Sequence, residues 1–326
     1  MKETDSYKPK KVKLLAIIFS TVLVFLTFEI PFLIDILLIQ RFPDIHPIFY
    51  PDEVNAIINS ARPIGYLNLI IIIILIIFGL LIENNKISVS SSFLLFLPTF
   101  GNFAMYMFFL AGFGILEILW LPLYTPFFNF LTLGIIVFIP AFPFCFLTIL
   151  TYIPIIQGII MFIGLYIFTS GVINWFYGKY QKKEIIDFSI YKYSRHPQYL
   201  GFLIYSYGVY MRYMTYDLVF VPMSRLSSKA SLPWLIFALL IVTVAFIEDV
   251  KMSKKYSEKF KAYRKNTPFL IKLPPELKSI ITYPMRYIIK KNFPETKKEV
   301  AKVVFFYGVI IIILSLPLSI IFSIFS

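Results

Sequence analysis

The sequence predicts an all-α fold, a polytopic integral membrane bundle of about eight transmembrane helices. Three observations lead there. Hydrophobic residues make up 59% of the 326 and charged residues only 15%, a balance foreign to soluble domains of this size. Apolar runs recur at 14–39, 64–82, 92–120, 127–150, 153–177, 199–222, 232–250 and 303–325, each near or above the roughly 20 residues that cross hydrocarbon as a helix. No alternating strand pattern accompanies them, and lipid offers no partner to unpaired backbone, so the runs are helices.

Taken in order, the basic start MKETDSYKPKKVK leads into the first run. That run is long for a signal core and lacks a small-residue cleavage site, so it is expected to be an anchor with its lysines inside. Glu29 and Asp35 lie within it, and intramembrane acids mark pathways or buried pairs. From residue 84 to 178 only Lys86 and Glu117 are charged, which makes that block almost wholly embedded. Segment 92–120 contains Pro98, Gly101, Asn102, Gly112 and Gly114, so it is expected to bend or re-enter; Pro140 and Pro143 mark a second such place. Gly158, Gly164 and Gly171 permit close helix packing within 153–177. His46 reads as a loop residue.

Charge divides the rest. Residues 251–302 hold 15 Lys/Arg against 4 Asp/Glu, the signature of a cytosolic segment meeting anionic headgroups rather than nucleic acid. The 179–195 loop is basic as well, yet five full crossings from an N-terminus inside would put it outside, so either one early segment does not cross or the N-terminus lies outside against its lysines. One cysteine, Cys145, excludes an intrachain disulfide, and two histidines without an HExxH run argue against a zinc centre. Three parts follow: a membrane bundle over 1–177, a segment of distinct chemistry over 178–275, and a basic stretch with a last span over 276–326.

The distinct chemistry begins at YKYSRHPQYLGF, residues 191–202. The residue before a proline avoids helical geometry and proline suits a first turn, so an extended arm should end at His196 and a helix begin at Pro197. Unpaired N–H groups and the dipole of that first turn favour an anion. Arg195 adds a guanidinium that can grip a carboxylate through two bonds, and Gly201 lets another group approach the backbone. Farther on, 232–250 ends at Glu248 and Asp249. Met252, Tyr256, Phe260 and Tyr263 then share one helical face, expected to lie on headgroups until Thr267-Pro268 ends the helix. Segments 199–222 and 232–250 form a hairpin that carries Arg195/His196 and Glu248/Asp249 to the same membrane side, a setting for a zwitterionic ligand.

At these residues the chain resembles the isoprenylcysteine carboxyl methyltransferases and their phospholipid-methylating relatives, membrane-embedded enzymes dependent on S-adenosylmethionine. The family pattern is met by Tyr191, Arg195, His196, Pro197, Tyr199 and Gly201, then by Glu248-Asp249, Tyr256, Phe260, Tyr263, Thr267-Pro268 and Pro274. The likeness covers roughly 180–275 and makes the hairpin the catalytic part. It implies S-adenosyl-L-methionine as cofactor, bordered by Lys183, Glu184, Ile185 and Ile186 in a strand-like approach. Tyr191, Arg195, His196, Pro197, Gln198, Tyr199, Gly201 and Asp249 complete the implied cofactor set, with Glu248 and Arg195 as catalytic residues. The implied acceptor is lipophilic or prenylated and resident in the bilayer, and membrane lipids with anionic headgroups are the other expected partners. The chain departs from the family at three places: Ser189 and Ser257 replace glycines, and Val244 replaces the arginine that precedes the acid in prenylcysteine methyltransferases. Arg212, Arg225 or Lys251 are the cations left to substitute for it. Two other readings stay open, a sterol-reductase-like NADPH enzyme and a non-catalytic membrane protein or transporter that keeps the hairpin.

Overall fold

The structure, a computed structural model, describes residues 9–41, 51–82, 84–101, 109–110, 113–123, 125, 128–141, 153–220 and 230–324. It is all-helical in class. Helices α1 (Pro9–Arg41), α2 (Pro51–Leu81), α3 (Asn85–Phe96), α4 (Ile153–Tyr180), α5 (Pro197–Phe220), α6 (Ser231–Asn266), α7 (Pro275–Ile289) and α8 (Lys297–Ile324) account for most of it. Among the described residues, strand pairing is confined to Phe109–Leu110 against Phe113–Gly114. Five helices among the described residues are long and apolar enough to cross a membrane, at Lys10–Ile30, Asn59–Leu81, Ile155–Tyr180, Ser231–Asn266 and Lys297–Ile321.

Several expectations change here. Segment 92–120 is broken where it was expected to bend. Helix α3 closes at Leu97, one turn follows at Pro98–Gly101, and a 3-10 helix runs Ile115–Leu123. Proline withholds a backbone donor and its ring clashes with the preceding turn, which accounts for the break at Pro98. The described part of 127–150 is not one helix either; it holds 3-10 turns at Phe130–Thr132 and Ile135–Ala141. Asn129 caps the first of them by accepting from the Leu131 N–H at 3.0 Å. Glu29 is half-buried in α1, whereas Cys145, Arg225, His46 and the side chains of Asp35 and Glu117 lie outside the described residues.

The chain forms two compact units. One comprises Thr27–Gln157, Tyr207–Ile241 and Val304–Ser326. Its core gathers Leu95, Trp120, Leu131, Ile135, Phe138, Tyr210 and Ala230. Phe138 stacks on Tyr207 at 4.9 Å, Phe96 stacks on Phe237 at 5.3 Å, and the buried Trp120 indole donates to the Leu95 carbonyl at 2.8 Å.

The other unit comprises Met1–Leu26, Gly158–Ser206 and Val242–Val303, and contains the distinct chemistry. Small residues bring its helices together, as is usual where lipid supplies no hydrophobic drive between them. Ala16 and Ser20 of α1 are fully buried, and the Ser20 and Thr169 hydroxyls meet at 3.0 Å. Gly164 of α4 faces Gly201 of α5. A Cβ at Gly201 would stand 2.3 Å from the Phe168 nitrogen, and one at Gly164 would stand 2.4 Å from the Tyr205 nitrogen. Gly201 therefore does admit a close neighbour, and that neighbour is the backbone of α4. Gly158 has open space where its Cβ would go.

Gly201→Ala should therefore destabilise the detergent-solubilised protein by about 1–3 kcal/mol through overpacking. Gly158→Ala should leave the unfolding temperature unchanged or slightly raised. Thermal unfolding of the two variants side by side checks the helix contact.

Candidate functional site

Helix α4 ends at Tyr180, and Lys182, with a φ of 55°, reverses the chain while the Lys183 N–H returns to the Gly178 carbonyl at 3.0 Å. The strand-like approach expected at Lys183–Ile186 is irregular backbone with bends at Glu184 and Ile185 and has no strand partner. Ile186 instead closes over Gly178, where a Cβ would meet its side chain at 2.6 Å. A 3-10 turn at Ser189–Lys192 buries Tyr191, whose hydroxyl donates to the Gly171 carbonyl at 3.3 Å. Burial pushes the Tyr191 phenol well above its usual range, so it remains a neutral donor.

The arm from Ser194 to His196, expected to be extended, is irregular backbone with a bend at Arg195, and α5 starts at Pro197, as the proline dictates. Two bonds hold the arm. The Arg195 N–H donates to the Pro268 carbonyl at 3.0 Å, and the His196 N–H donates to the Ser194 hydroxyl at 3.2 Å. Pro197 and Gln198 pack over Gly171, where a Cβ would lie 3.1 Å from the Gln198 nitrogen. These two expected site residues thus seat α5 on α4.

Residues 50 positions apart then interlock. Arg195 Nη1 lies 2.6 Å from Asp249 Oδ2, and both side chains are almost completely buried. The contact lies off the hydrogen-bonding directions, since both atoms, with Arg195 Nε, lack a hydrogen bond among the described residues. It is a charge contact first. Asp249 Oδ1 takes His196 Nε2 at 2.9 Å, which assigns the proton to that nitrogen. The other ring nitrogen faces Glu248 Oε2 at 3.7 Å. Tyr199 donates its hydroxyl to Glu248 Oε1 at 2.6 Å. Burial draws the Arg195 guanidinium below its usual pKa, and the Asp249 charge opposes that pull.

Aromatic rings cover the cluster. Phe269 lies edge-on to His196 at 5.1 Å, and the Arg195 guanidinium sits 4.6 Å above Phe293 and 5.5 Å from Phe269. Phe246 stacks on Phe269 at 4.3 Å. Sequence reasoning missed Phe269 and Phe293, because an isolated phenylalanine in a basic stretch carries no periodic signal. It also missed the hydroxyl of Tyr263, which donates to the Tyr191 carbonyl at 2.7 Å.

Arg195 was expected to grip a ligand carboxylate, and its partner here is Asp249. Consecutive helical residues point about 100° apart, so Asp249 turns inward while the Glu248 side chain stays 44% exposed. Glu248 is the acid of the cluster available to a substrate. Helix α6 brings a further correction. The expected headgroup-bound stretch follows the apolar span directly within Ser231–Asn266, where non-helical backbone at Ser257 divides two helical segments. Its aromatic stripe faces protein, with Phe260 buried and Tyr263 on Tyr191, because the 183–196 segment needs a cover.

Beside this cluster lies a cavity of about 680 Å³. Lys183, Glu184, Ile185, Asp187 and Lys192 line one wall, and Lys259, Ala262, Tyr263, Asn266 and Thr267 the other. Glu184 and Lys259 form an ion pair of 2.5 Å at its mouth. Of the twelve residues in the implied cofactor set, Lys183, Glu184 and Ile185 line it, and Ile186, Tyr191, Pro197, Gln198 and Gly201 do not. Arg195, His196, Tyr199, Glu248 and Asp249 are not among the lining residues, and Tyr263 connects the two places. No family model, curated protein or solved structure matches the chain. Among the described residues no group of His, Cys, Asp and Glu is arranged to hold a metal ion.

Asp249→Ala should cost about 3–5 kcal/mol, because it leaves Arg195 buried without its counter-charge. The volume-matched double change Arg195→Met with Asp249→Leu should recover much of that loss in thermal unfolding. Ser189 and Ser257 hold positive φ of 53° and 29°. Ser189→Gly and Ser257→Gly should each therefore stabilise by about 1 kcal/mol, read as a rise in unfolding temperature.

Proposed function

We propose that the chain is an S-adenosylmethionine-dependent methyltransferase acting on a lipophilic acceptor in the membrane. The observation that carries the reading is the interlock of the two motifs: Arg195 and His196 close on Asp249, and Tyr199 closes on Glu248. Two motifs about fifty residues apart, both picked out by the resemblance, meet at one place, which supports the reading. A second observation agrees with it. Ser189 and Ser257 stand where the family pattern has glycine, and both have positive φ, the backbone region that glycine tolerates best. The departures in residue type keep the backbone shape.

On this reading the cavity would hold the cofactor. Its volume lies within the range of about 300–1,000 Å³ usual for small-molecule sites, and its wall offers Lys183 and Lys192 to a carboxylate and Glu184 and Asp187 to hydroxyls or an ammonium. When bound, S-adenosylmethionine supplies a methyl group on a sulfonium. The chain's part is to bind and orient. Tyr263 and the 183–192 segment would hold the cofactor, Tyr199 fixes one rotamer of Glu248, and Phe246, Phe269 and Phe293 keep water from the clasp. A carboxylate acceptor arrives ionised and needs no base, whereas an amine or phenol would hand its proton to Glu248. Val244 is buried one turn before Glu248 and offers no cation, which favours a neutral or amine-bearing headgroup over a prenylcysteine carboxylate.

On this reading α5 and α6 are the two arms of a catalytic hairpin. Helix α5 and the broken segments 92–120 and 127–150 would bring the five long helices to about eight crossings. The basic stretches 179–195 and 251–302 support a cytosolic face for the site, which, with the N-terminal lysines also inside, requires one of the five segments before residue 179 not to cross.

Titration of S-adenosylhomocysteine into the full chain in nanodiscs should show one binding site. Tyr263→Ala and Lys192→Glu should each weaken it by about tenfold or more, equal to about 1.4 kcal/mol. Tyr199→Phe should bind normally while labelled methyl transfer to extracted native lipids falls. An absence of binding by the intact protein rules the activity out, and unchanged affinity in both cavity variants moves the site elsewhere.

A further inference from the structure

Helix α7 (Pro275–Ile289) presents a surface that neither the fold nor the reaction uses. At 100° per residue, Leu277, Ile280, Ile281, Tyr283, Tyr287 and Ile288 fall within one arc of about 160°. Five of them are exposed to between 48% and 71%. Met285, on a different side, is the buried residue that seats the helix on the protein. The polar side carries Ser279 and Arg286, joined by bonds of 3.1 Å from Arg286 Nη2 to the Ser279 carbonyl and hydroxyl. Fifteen residues rise about 22 Å as a helix, too little to cross a hydrocarbon core of about 30 Å. The arc is therefore neither core nor span.

Its surroundings identify what covers it. Tyr283 and Tyr287 stack at 6.4 Å along one edge of the arc, and tyrosines favour the level of the headgroups. Lys272, Lys278, Lys290 and Lys291 are exposed before, on and after the helix. Lys291 is engaged with Glu295 and Glu299, while Lys278 stands beside the apolar arc. Only seven residues separate Ile289 from Lys297, where the apolar span of α8 begins. A chain that short reaches at most about 25–30 Å, so α7 stays within that distance of the start of α8 and cannot leave the neighbourhood of the membrane face where α8 begins. We infer that α7 is an in-plane anchor that docks on anionic lipid headgroups with its Ile280 face sunk among the acyl chains. A second copy of the chain would cover the apolar arc equally well but leaves the flanking lysines unexplained. The anchor stands whether or not the chain transfers methyl groups. It also has a consequence for the clasp: α7 lies between Phe269 and Phe293, the two rings against Arg195, so the level of the membrane surface fixes where those rings rest.

The test uses the full chain in a Cys145→Ala background, with a polarity-sensitive fluorophore on Ile280→Cys or on Arg286→Cys. Each is reconstituted in phosphatidylcholine vesicles, with and without about a third phosphatidylglycerol. Quenching by doxyl-labelled lipid should be about threefold or more stronger at 280 than at 286, and quenching by aqueous acrylamide should show the reverse order. The contrast should grow with phosphatidylglycerol, and Lys278→Glu with Lys290→Glu should remove that growth. Equal acrylamide quenching at both positions overturns the anchor. A label at 280 shielded from both quenchers overturns it in favour of protein cover, and a contrast indifferent to phosphatidylglycerol overturns the anionic partner.

Discussion

A guanidinium taken out of water must find a counter-charge, and in this chain that requirement ties the two motifs together. Arg195 and Asp249 are buried together at 2.6 Å, with His196 on the second oxygen of the same carboxylate. Removing Arg195 or Asp249 leaves the other charge buried without its counter-charge, which is not tolerated inside a protein. The clasp therefore fixes the register of α5 against α6 residue by residue. It also decides which neighbour faces out: with Asp249 turned inward, Glu248 must stand one step around the helix, where Tyr199 reaches it and solvent does too.

That division separates two tasks which the sequence runs together. The clasp holds the arm; the cavity beside it has the size and the mixed charge for a zwitterion. Lysines and acids along 183–192 remain at the surface, where a ligand can trade places with water, while the buried charges satisfy one another. A site whose only cation was already committed to its only inward acid would bind a free carboxylate poorly. The exposed Lys183 and Lys192 relieve that difficulty without disturbing the clasp.

Local chemistry was the legible part. A proline after His196 announced the start of α5, Pro98 announced the break after α3, and the paired acids announced the end of the apolar run of α6. The relation of charge to charge was legible only as proximity. Which of two adjacent acids turns inward depends on the rotation of α6, and that rotation shows only in the contact of Asp249 with Arg195, from a distant part of the chain. The stripe from Met252 to Tyr263 gave the right periodicity and the wrong partner. An amphipathic face fits protein or headgroups equally well until the segment that lies on it is known. Phe293 was beyond reach, because its place over Arg195 depends on the whole path of α7.

That path turns the last question on geometry. Between Phe269 and Phe293 the chain runs out along α7 and comes back, so the two rings over Arg195 are held from both ends of one helix. A helix that exposes Leu277, Ile280, Ile281, Tyr283 and Tyr287 to water would carry a heavy penalty per unit of apolar area. Sinking that face into a bilayer removes the penalty and, by the same movement, sets the height of both phenylalanines. The cover of the buried clasp and the level of the lipid surface are thereby one constraint. An acceptor that reaches the site from the bilayer would meet Glu248 at a height the membrane itself defines.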